Sequence, residues 1–116
     1  MIWMKPVVEA SFYKIEIFIP PEHTDELLDA LAEAGAGRVG LYERCASVTA
    51  VRGTWRPLPG SNPYNGEIGK TEWADEVRVE MNCPRERLAA ALVAIRSVHP
   101  YEEPLINLIP LAALPV

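Results

Sequence analysis

The chain has 116 residues, a hydrophobic content of 49% and a formal net charge of −5. This length and composition predict one folded domain with a core of its own and exclude a disordered protein. The eleven lysines and arginines are scattered along the chain, which argues against a nucleic-acid or anionic-membrane surface. No apolar run approaches the roughly eighteen residues that a membrane helix needs, so no span is predicted.

The N-terminal segment and the cysteines indicate the compartment. The opening "MIWMKPVVEA" holds one lysine, an early proline and an acid, unlike a secretion signal, so we expect a cytoplasmic protein. One disulfide between Cys45 and Cys83 is arithmetically possible, but a reducing compartment favours two free thiols. The sequence contains no CxxC pair, and a structural zinc site is therefore not expected.

The first half of the chain predicts a strand followed by a helix. In "YKIEIFI", residues 13–19, the three isoleucines fall on one face and Lys14 and Glu16 on the other, which is the period of a half-buried strand. Pro20 and Pro21 end that strand and suit the first turn of a helix. The next segment, "EHTDELLDALAEAG", places its leucines on one helical face and ends at Gly35.

The middle of the chain is extended and then irregular. "GRVGLYERCASVTAVRG" predicts extended structure that is broken or bulged around Gly40. Residues 53–75 hold four glycines, three prolines and three aromatic residues, which predicts a long loop or arm. The aromatic residues favour burial over disorder, and Asn65-Gly66 is a turn signal. Two interpretations stay open: a ligand-binding loop, or an arm that packs on a neighbouring subunit.

The second half repeats the order of the first. "EVRVEMN" alternates like a strand, Pro84 and "RERLAAALVAIRSV" follow as a helix, and "LINLIPL" predicts a final strand. Two β-α-β halves predict an α+β, ferredoxin-like fold: an antiparallel four-stranded sheet with both helices on one face. The other face of such a sheet is bare, which favours a homo-oligomer that covers it.

The hexapeptide "HPYEEP", residues 99–104, combines a structural signal with candidate site residues. Pro100 ends the second helix and pushes His99 toward an extended conformation, and Pro104 begins the last strand. Glu102 and Glu103 are adjacent in an extended turn, so their side chains point to opposite sides and would not chelate an ion together. The motif is therefore first a stiff helix-to-strand turn and only second a site.

No catalytic motif accompanies these features. Gly69-Lys70-Thr71 is not a phosphate loop, because Tyr64 stands where the first glycine of that motif is required. The sequence lacks G-x-S-x-G and offers only His23 and His99 as histidine bases. We therefore expect a protein that is not an enzyme.

Three segments together resemble a known family. "AGAGRVGLYERCA", "GTWRPLPGSNPYNGEIG" and "HPYEEP", in this order, are similar to the YqfO-type domain of the Nif-three (NGG-interacting factor) family over roughly residues 12–111. That domain occurs as an insert in larger bacterial proteins and as a stand-alone chain. The resemblance implies a single PII/CutA-like domain over residues 1–116. The family's dinuclear metal centre belongs to a separate core domain whose motifs this sequence does not contain.

The sequence departs from the family pattern at five positions. Leu41 stands where an asparagine is expected, and Trp55 and Tyr64 stand where phenylalanines are expected, which keeps a flat anchor at both aromatic positions. After the hexapeptide, Ile106 and Asn107 replace a tyrosine and an aspartate, and the lost carboxylate weakens a metal site there.

The resemblance implies a non-enzymatic, PII/CutA-like trimer that binds a small effector in clefts between its subunits. The residues expected to face that cleft are Arg56, Asn62, Tyr64, Lys70, His99, Tyr101 and Glu102. The alternative is a divalent-metal-binding protein similar to CutA, with ligands from Cys45, His99 and one of Glu102 or Glu103. The identity of a ligand or cofactor is not predicted.

Overall fold

The computed structural model describes residues 9–113, so most of the N-terminal segment on which the cytoplasmic expectation depends lies outside the described residues. The elements, in chain order, are β1 (Phe12–Ile19), α1 (Thr24–Glu33), β2 (Ser47–Trp55), β3 (Glu72–Pro84), α2 (Leu88–Val98) and β4 (Ile106–Pro110). A short 3-10 turn precedes each helix. Within residues 9–113, no helix is long and apolar enough to cross a membrane.

The four strands form one antiparallel sheet in the order β2-β3-β1-β4. Alternate residues of β1 are buried, and Ile15 and Ile17 lie opposite Met81 and Val79 on one sheet face. Leucines of both helices join these residues in one core cluster, so both helices cover the same face. Burial of each of these isoleucine side chains stabilises the folded state by about 1.5–3 kcal/mol. The predicted α+β, ferredoxin-like class is confirmed.

The ends of α1 form where the sequence signals predicted them. Pro20 is extended (ψ 140°), and Pro21 begins the 3-10 turn that leads into α1. At the other end Gly35 has a φ of +92°, which a glycine adopts at no steric cost. This conformation lets the N–H of Ala36 donate to the carbonyl of Leu31 at 3.0 Å, the hydrogen bond of a Schellman motif.

The connection between α1 and β2 is more irregular than the predicted extended segment. The strand begins only at Ser47. The break predicted around Gly40 is a tight turn, in which Gly40 has a φ of +58°. Val39 and Tyr42 exchange two backbone hydrogen bonds across it, at 2.9 and 3.0 Å.

The predicted loop of residues 53–75 is shorter in the structure, because strands take up both of its ends. Gly53 lies opposite Ala74 and Trp55 lies opposite Glu72, so β2 and β3 pair to the end of β2 and leave residues 56–71 as the loop between them. Exposed and half-buried positions alternate at these strand ends, but the half-buried ones include Gly53 and Glu72, so the apolar alternation that would have marked them as strands is missing. We call this paired part, residues 51–55 and 72–76, the arm.

The sheet face opposite the helices carries charged side chains. Lys14 Nζ lies 2.6 Å from Glu80 Oε2, and Arg78 Nε lies 3.2 Å from Glu80 Oε1. The hydrogen bond between Lys14 and Glu80 raises the pKa of Lys14 and lowers the pKa of Glu80. This face is therefore polar near its centre.

Candidate functional site

A cavity of about 560 Å³ lies where the arm, the loop after β2 and the hexapeptide turn meet. Its lining consists of residues 18, 51–58, 61, 63, 65, 76, 101–103 and 105. Its volume falls in the range of small-molecule sites, roughly 300–1,000 Å³. Segments that are distant in sequence therefore build one concave surface.

Tyr101, from the hexapeptide, connects the elements around the cavity. Its hydroxyl donates a hydrogen bond to Glu76 Oε2 at 2.7 Å, and its ring centroid lies 5.8 Å from that of Trp55 and 5.9 Å from that of Tyr64. Burial raises the pKa of Tyr101, and the hydrogen bond to the carboxylate of Glu76 raises it further. The phenol therefore stays protonated and acts as a donor.

Glu76 places a buried carboxylate on the cavity side of the sheet. It is only 6% exposed, although it lies on the face that the helices leave bare. Space for it comes from Gly53 on β2, because a Cβ at that position would lie 2.6 Å from the Glu76 Cδ and overlap Oε1. A glycine is thus required at position 53 because the Glu76 side chain packs against its backbone, and not because of the backbone conformation.

His99 is buried and serves the turn itself. It follows the last residue of α2 with φ −76° and ψ 126°, the extended conformation that a residue before proline prefers. Its Nδ1 accepts the N–H of Tyr101 at 3.2 Å, so Nε2 carries the proton and donates to the carbonyl of Phe18 at 2.7 Å. Burial lowers the pKa of His99. The neutral ring fastens the turn to β1.

Three of the residues expected at the ligand cleft line the cavity: Arg56, Tyr101 and Glu102. Asn62 is adjacent, because its backbone N–H donates to Glu102 Oε1 at 2.9 Å. Tyr64 contacts Tyr101 from outside the lining and is 56% exposed.

The other two expected cleft residues lie elsewhere in the single chain. Lys70 does not line the cavity, and its Nζ pairs with Glu67 Oε2 at 2.7 Å on the surface. His99 is also absent from the lining, and both of its ring nitrogens are engaged within the chain.

The alternative metal ligands are separated in one chain. Glu102 and Glu103 line the cavity, whereas Cys45 lies in the connection before β2, where its N–H donates to the carbonyl of Gly37 at 2.8 Å. Among residues 9–113, no three His, Cys, Asp or Glu side chains lie close enough together to hold a metal ion.

Several cavity residues were not predicted, and Glu76 is the most important of them. Within the alternating strand "EVRVEMN" it has the pattern of an ordinary outward-facing acid. The one sequence signal that could have pointed to Glu76 is Gly53, since a glycine inside a strand often marks a place where another group packs closely against the backbone.

The fold defines the class of protein. The structure is similar to CutA from Archaeoglobus fulgidus, a periplasmic divalent cation tolerance protein, with 20% identity, a TM-score of 0.66 and coverage of 88% of this chain and 85% of that chain. The chain therefore has the CutA/PII-like fold. No protein-family model matches it.

The sequence relationship is to the NIF3-related proteins. A NIF3-related protein from Bacillus cereus aligns with a TM-score of 0.78 and 31% identity over 94% of this chain and 28% of that chain. A GTP cyclohydrolase 1 type 2 homolog from Halalkalibacterium halodurans is 37% identical over 109 residues, 94% of this chain and 29% of the relative. The chain is thus a homologue of one segment of the NIF3-related proteins and spans less than a third of their length, which confirms the resemblance drawn from its motifs.

Proposed function

We propose that this domain is a non-enzymatic, PII/CutA-like regulatory protein that binds a small effector in the 560 Å³ cavity. One observation carries the proposal: the loop after β2 and the hexapeptide turn, both parts of the family resemblance, meet at the same concave surface. The hydrogen bond from the Asn62 N–H to Glu102 Oε1 joins them across forty residues of sequence. A large, mainly apolar pocket with a few converging polar groups is the usual form of a ligand site.

The walls of the cavity are held in place before a ligand arrives. Trp55 Nε1–H donates to the carbonyl of Asn65 at 3.1 Å, which folds the loop back onto the arm. Pro100 and Pro104 stiffen the opposite wall. A site whose walls are already ordered loses little conformational entropy on binding.

The proposal assigns no reaction to the domain. His99 is the histidine next to the cavity, and both of its ring nitrogens form hydrogen bonds within the chain. It is therefore not free to act as a general base without breaking the turn.

The proposed assembly is a cytoplasmic homo-trimer in which a neighbouring subunit completes the cavity. The arm and its loop support this proposal, because they expose large apolar side chains: Leu58 at 67%, Tyr64 at 56%, Ile68 at 46% and Trp73 at 58%. Apolar groups exposed together on one extension are typical of a surface that another chain covers.

The test of the binding function is the small-molecule content of the purified protein. After denaturation, mass spectrometry of the released fraction is expected to detect an organic compound in the wild type. The double variant Arg56→Ala/Tyr64→Ala should lose it, whereas Lys70→Ala, outside the cavity, should retain it. A folded double variant that keeps every bound compound would contradict the proposal.

Divalent-cation binding is the second candidate. Its support is the name of the A. fulgidus protein and the two exposed carboxylates, Glu102 and Glu103, at the cavity. Because Cys45 lies apart from them in one chain, a second subunit would have to contribute ligands. This candidate predicts that zinc or copper raises the melting temperature and protects the Cys45 thiol. An unchanged melting temperature together with a fully reactive Cys45 would exclude it.

A further inference from the structure

The cavity contains a buried carboxylate that has no cationic partner within the described part of the chain. Glu76 is 6% exposed and lines the cavity. Within residues 9–113 its one hydrogen bond is the bond that Oε2 accepts from Tyr101, and no lysine, arginine or histidine nitrogen lies within 4.0 Å of it. The other oxygen, Oε1, lies beside Gly53, which also lines the cavity. A buried, unpaired carboxylate is costly unless a partner compensates it.

Aromatic rings stand next to this carboxylate. Trp55 and Tyr101 both line the cavity, with ring centroids 5.8 Å apart and planes tilted by 46°. Phe18, on the sheet face of Glu76, adds a third ring to the lining. The negative faces of such rings attract a cation that lies within about 6 Å of their centroids.

The arginines at the cavity do not cancel its attraction for a cation. Arg52 touches the cavity, but its guanidinium lies 5.4 Å from the ring centroid of Trp73. Strand alternation places both of these side chains on the opposite side of the arm from Gly53. Among the lining residues, the three carboxylates of Glu76, Glu102 and Glu103 outnumber the two guanidiniums of Arg52 and Arg56.

From this arrangement we infer that the cavity selects an organic cation with a flat headgroup, such as an amidinium or a protonated aromatic amine. The headgroup binds the carboxylate of Glu76, and the apolar part of the ligand packs against the cavity-facing sides of Trp55 and Tyr101. Arg56 stays at the rim, where it remains hydrated. The inference rests on the proposed binding function and adds the charge and shape of the ligand.

The test uses three probes of nearly the same shape and different charge: benzamidinium, benzamide and benzoate. Isothermal titration calorimetry on the full chain near neutral pH is expected to show that benzamidinium binds at least about tenfold more tightly than the other two. The indole N–H resonance of Trp55, assigned with Trp55→Phe, should shift on binding and so report that the probe occupies the cavity.

Two matched variants test the role of the carboxylate. Glu76→Gln removes the charge, keeps the size and keeps an oxygen that accepts the Tyr101 hydroxyl, so it should weaken benzamidinium binding by about tenfold or more. Asp75→Asn makes the same charge change at the adjacent residue, which is exposed and faces away from the cavity, and should leave the affinity unchanged. If Glu76→Gln does not fold, the comparison of the three probes on the wild type still decides whether the cavity prefers a cation.

The outcomes separate this inference from the binding function. Equal binding of benzamide or benzoate, or equal weakening by both variants, would overturn the preference for a cation while the cavity remains a ligand site. If none of the probes binds at millimolar concentration, the cation assignment is wrong. The compound released from wild type but not from Arg56→Ala/Tyr64→Ala then decides the binding function independently.

Discussion

The hydroxyl of Tyr101 donates a hydrogen bond to the buried carboxylate of Glu76, with 2.7 Å between the two oxygens. This bond ties the turn after α2 to the central strand β3, which are twenty-five residues apart in sequence. It orients a carboxylate and an aromatic ring on the same wall of the cavity. The stability of the turn and the chemistry of the cavity therefore depend on the same pair.

Removing the hydroxyl should destabilise the protein. Tyr101→Phe leaves Glu76 Oε2 buried without its donor, which costs about 1–3 kcal/mol of the free energy of unfolding. Urea denaturation measures the difference. Tyr64→Phe is the matched control, since Tyr64 is 56% exposed, and it should change the stability by less than about 0.5 kcal/mol. Equal effects of the two variants would show that the Tyr101 bond contributes nothing specific.

Gly53 should not tolerate even a methyl group. In Gly53→Ala the new Cβ overlaps the carboxylate of Glu76, and the resulting displacement should cost about 1–3 kcal/mol in urea denaturation. A double-mutant cycle with Glu76→Ala identifies the cause, because alanine removes the obstructing group. Adding Gly53→Ala to Glu76→Ala should then cost much less. An undiminished penalty would mean that the glycine serves the strand and not the carboxylate.

Stability should fall as the solution becomes mildly acidic, because of His99. Burial lowers its pKa below 6.5 in the folded state, so the unfolded chain takes up a proton that the folded chain does not. This contribution is fully present above the unfolded pKa and is lost as the pH falls through 6.5 toward the folded pKa. The free energy of unfolding should therefore decrease between about pH 7.5 and 5.5.

The variant His99→Gln isolates this effect. Glutamine cannot titrate, so the pH dependence in that window should flatten even if the variant is less stable overall. The lowered pKa of Glu80 acts only at pH values below about 4.5, outside the window. A slope that persists in His99→Gln would assign the pH dependence to other groups.

The two thiols should react at different rates. Cys83 is fully buried, and burial raises its pKa to about 11, so it should resist a thiol reagent at about pH 8 in the native protein. Cys45 is partly exposed and should react. Titration with a chromogenic disulfide is expected to count one thiol per chain before denaturation and two afterwards. Rapid reaction of both would contradict the packing around Cys83.

The fold was predictable from sequence because its signals are local. The alternation in β1, the prolines before α1 and the glycine after it each agree with the structure. The paired ends of β2 and β3 that form the arm were missed, because their half-buried positions include Gly53 and Glu72, so apolar residues do not recur there with a period of two. The sequence thus predicts elements best where one face meets the core.

The cavity was predictable only in part. The loop and the turn were expected to form a site, and Arg56, Tyr101 and Glu102 line one cavity; that a ligand binds there stays a prediction. Glu76 was missed because the alternation in its strand shows only that its side chain points away from the core. It does not show that another part of the chain buries that side chain. His99 was expected to face the ligand, yet a buried imidazole must satisfy both nitrogens, and the nearest partners belong to its own chain.

Native mass spectrometry of the gently purified full chain tests the central claim most directly, because one spectrum reports the assembly and any bound mass. The account predicts the mass of three chains together with one small organic compound for each cavity. A bare monomer would contradict it, and so would a trimer that carries only increments of the mass of a divalent metal.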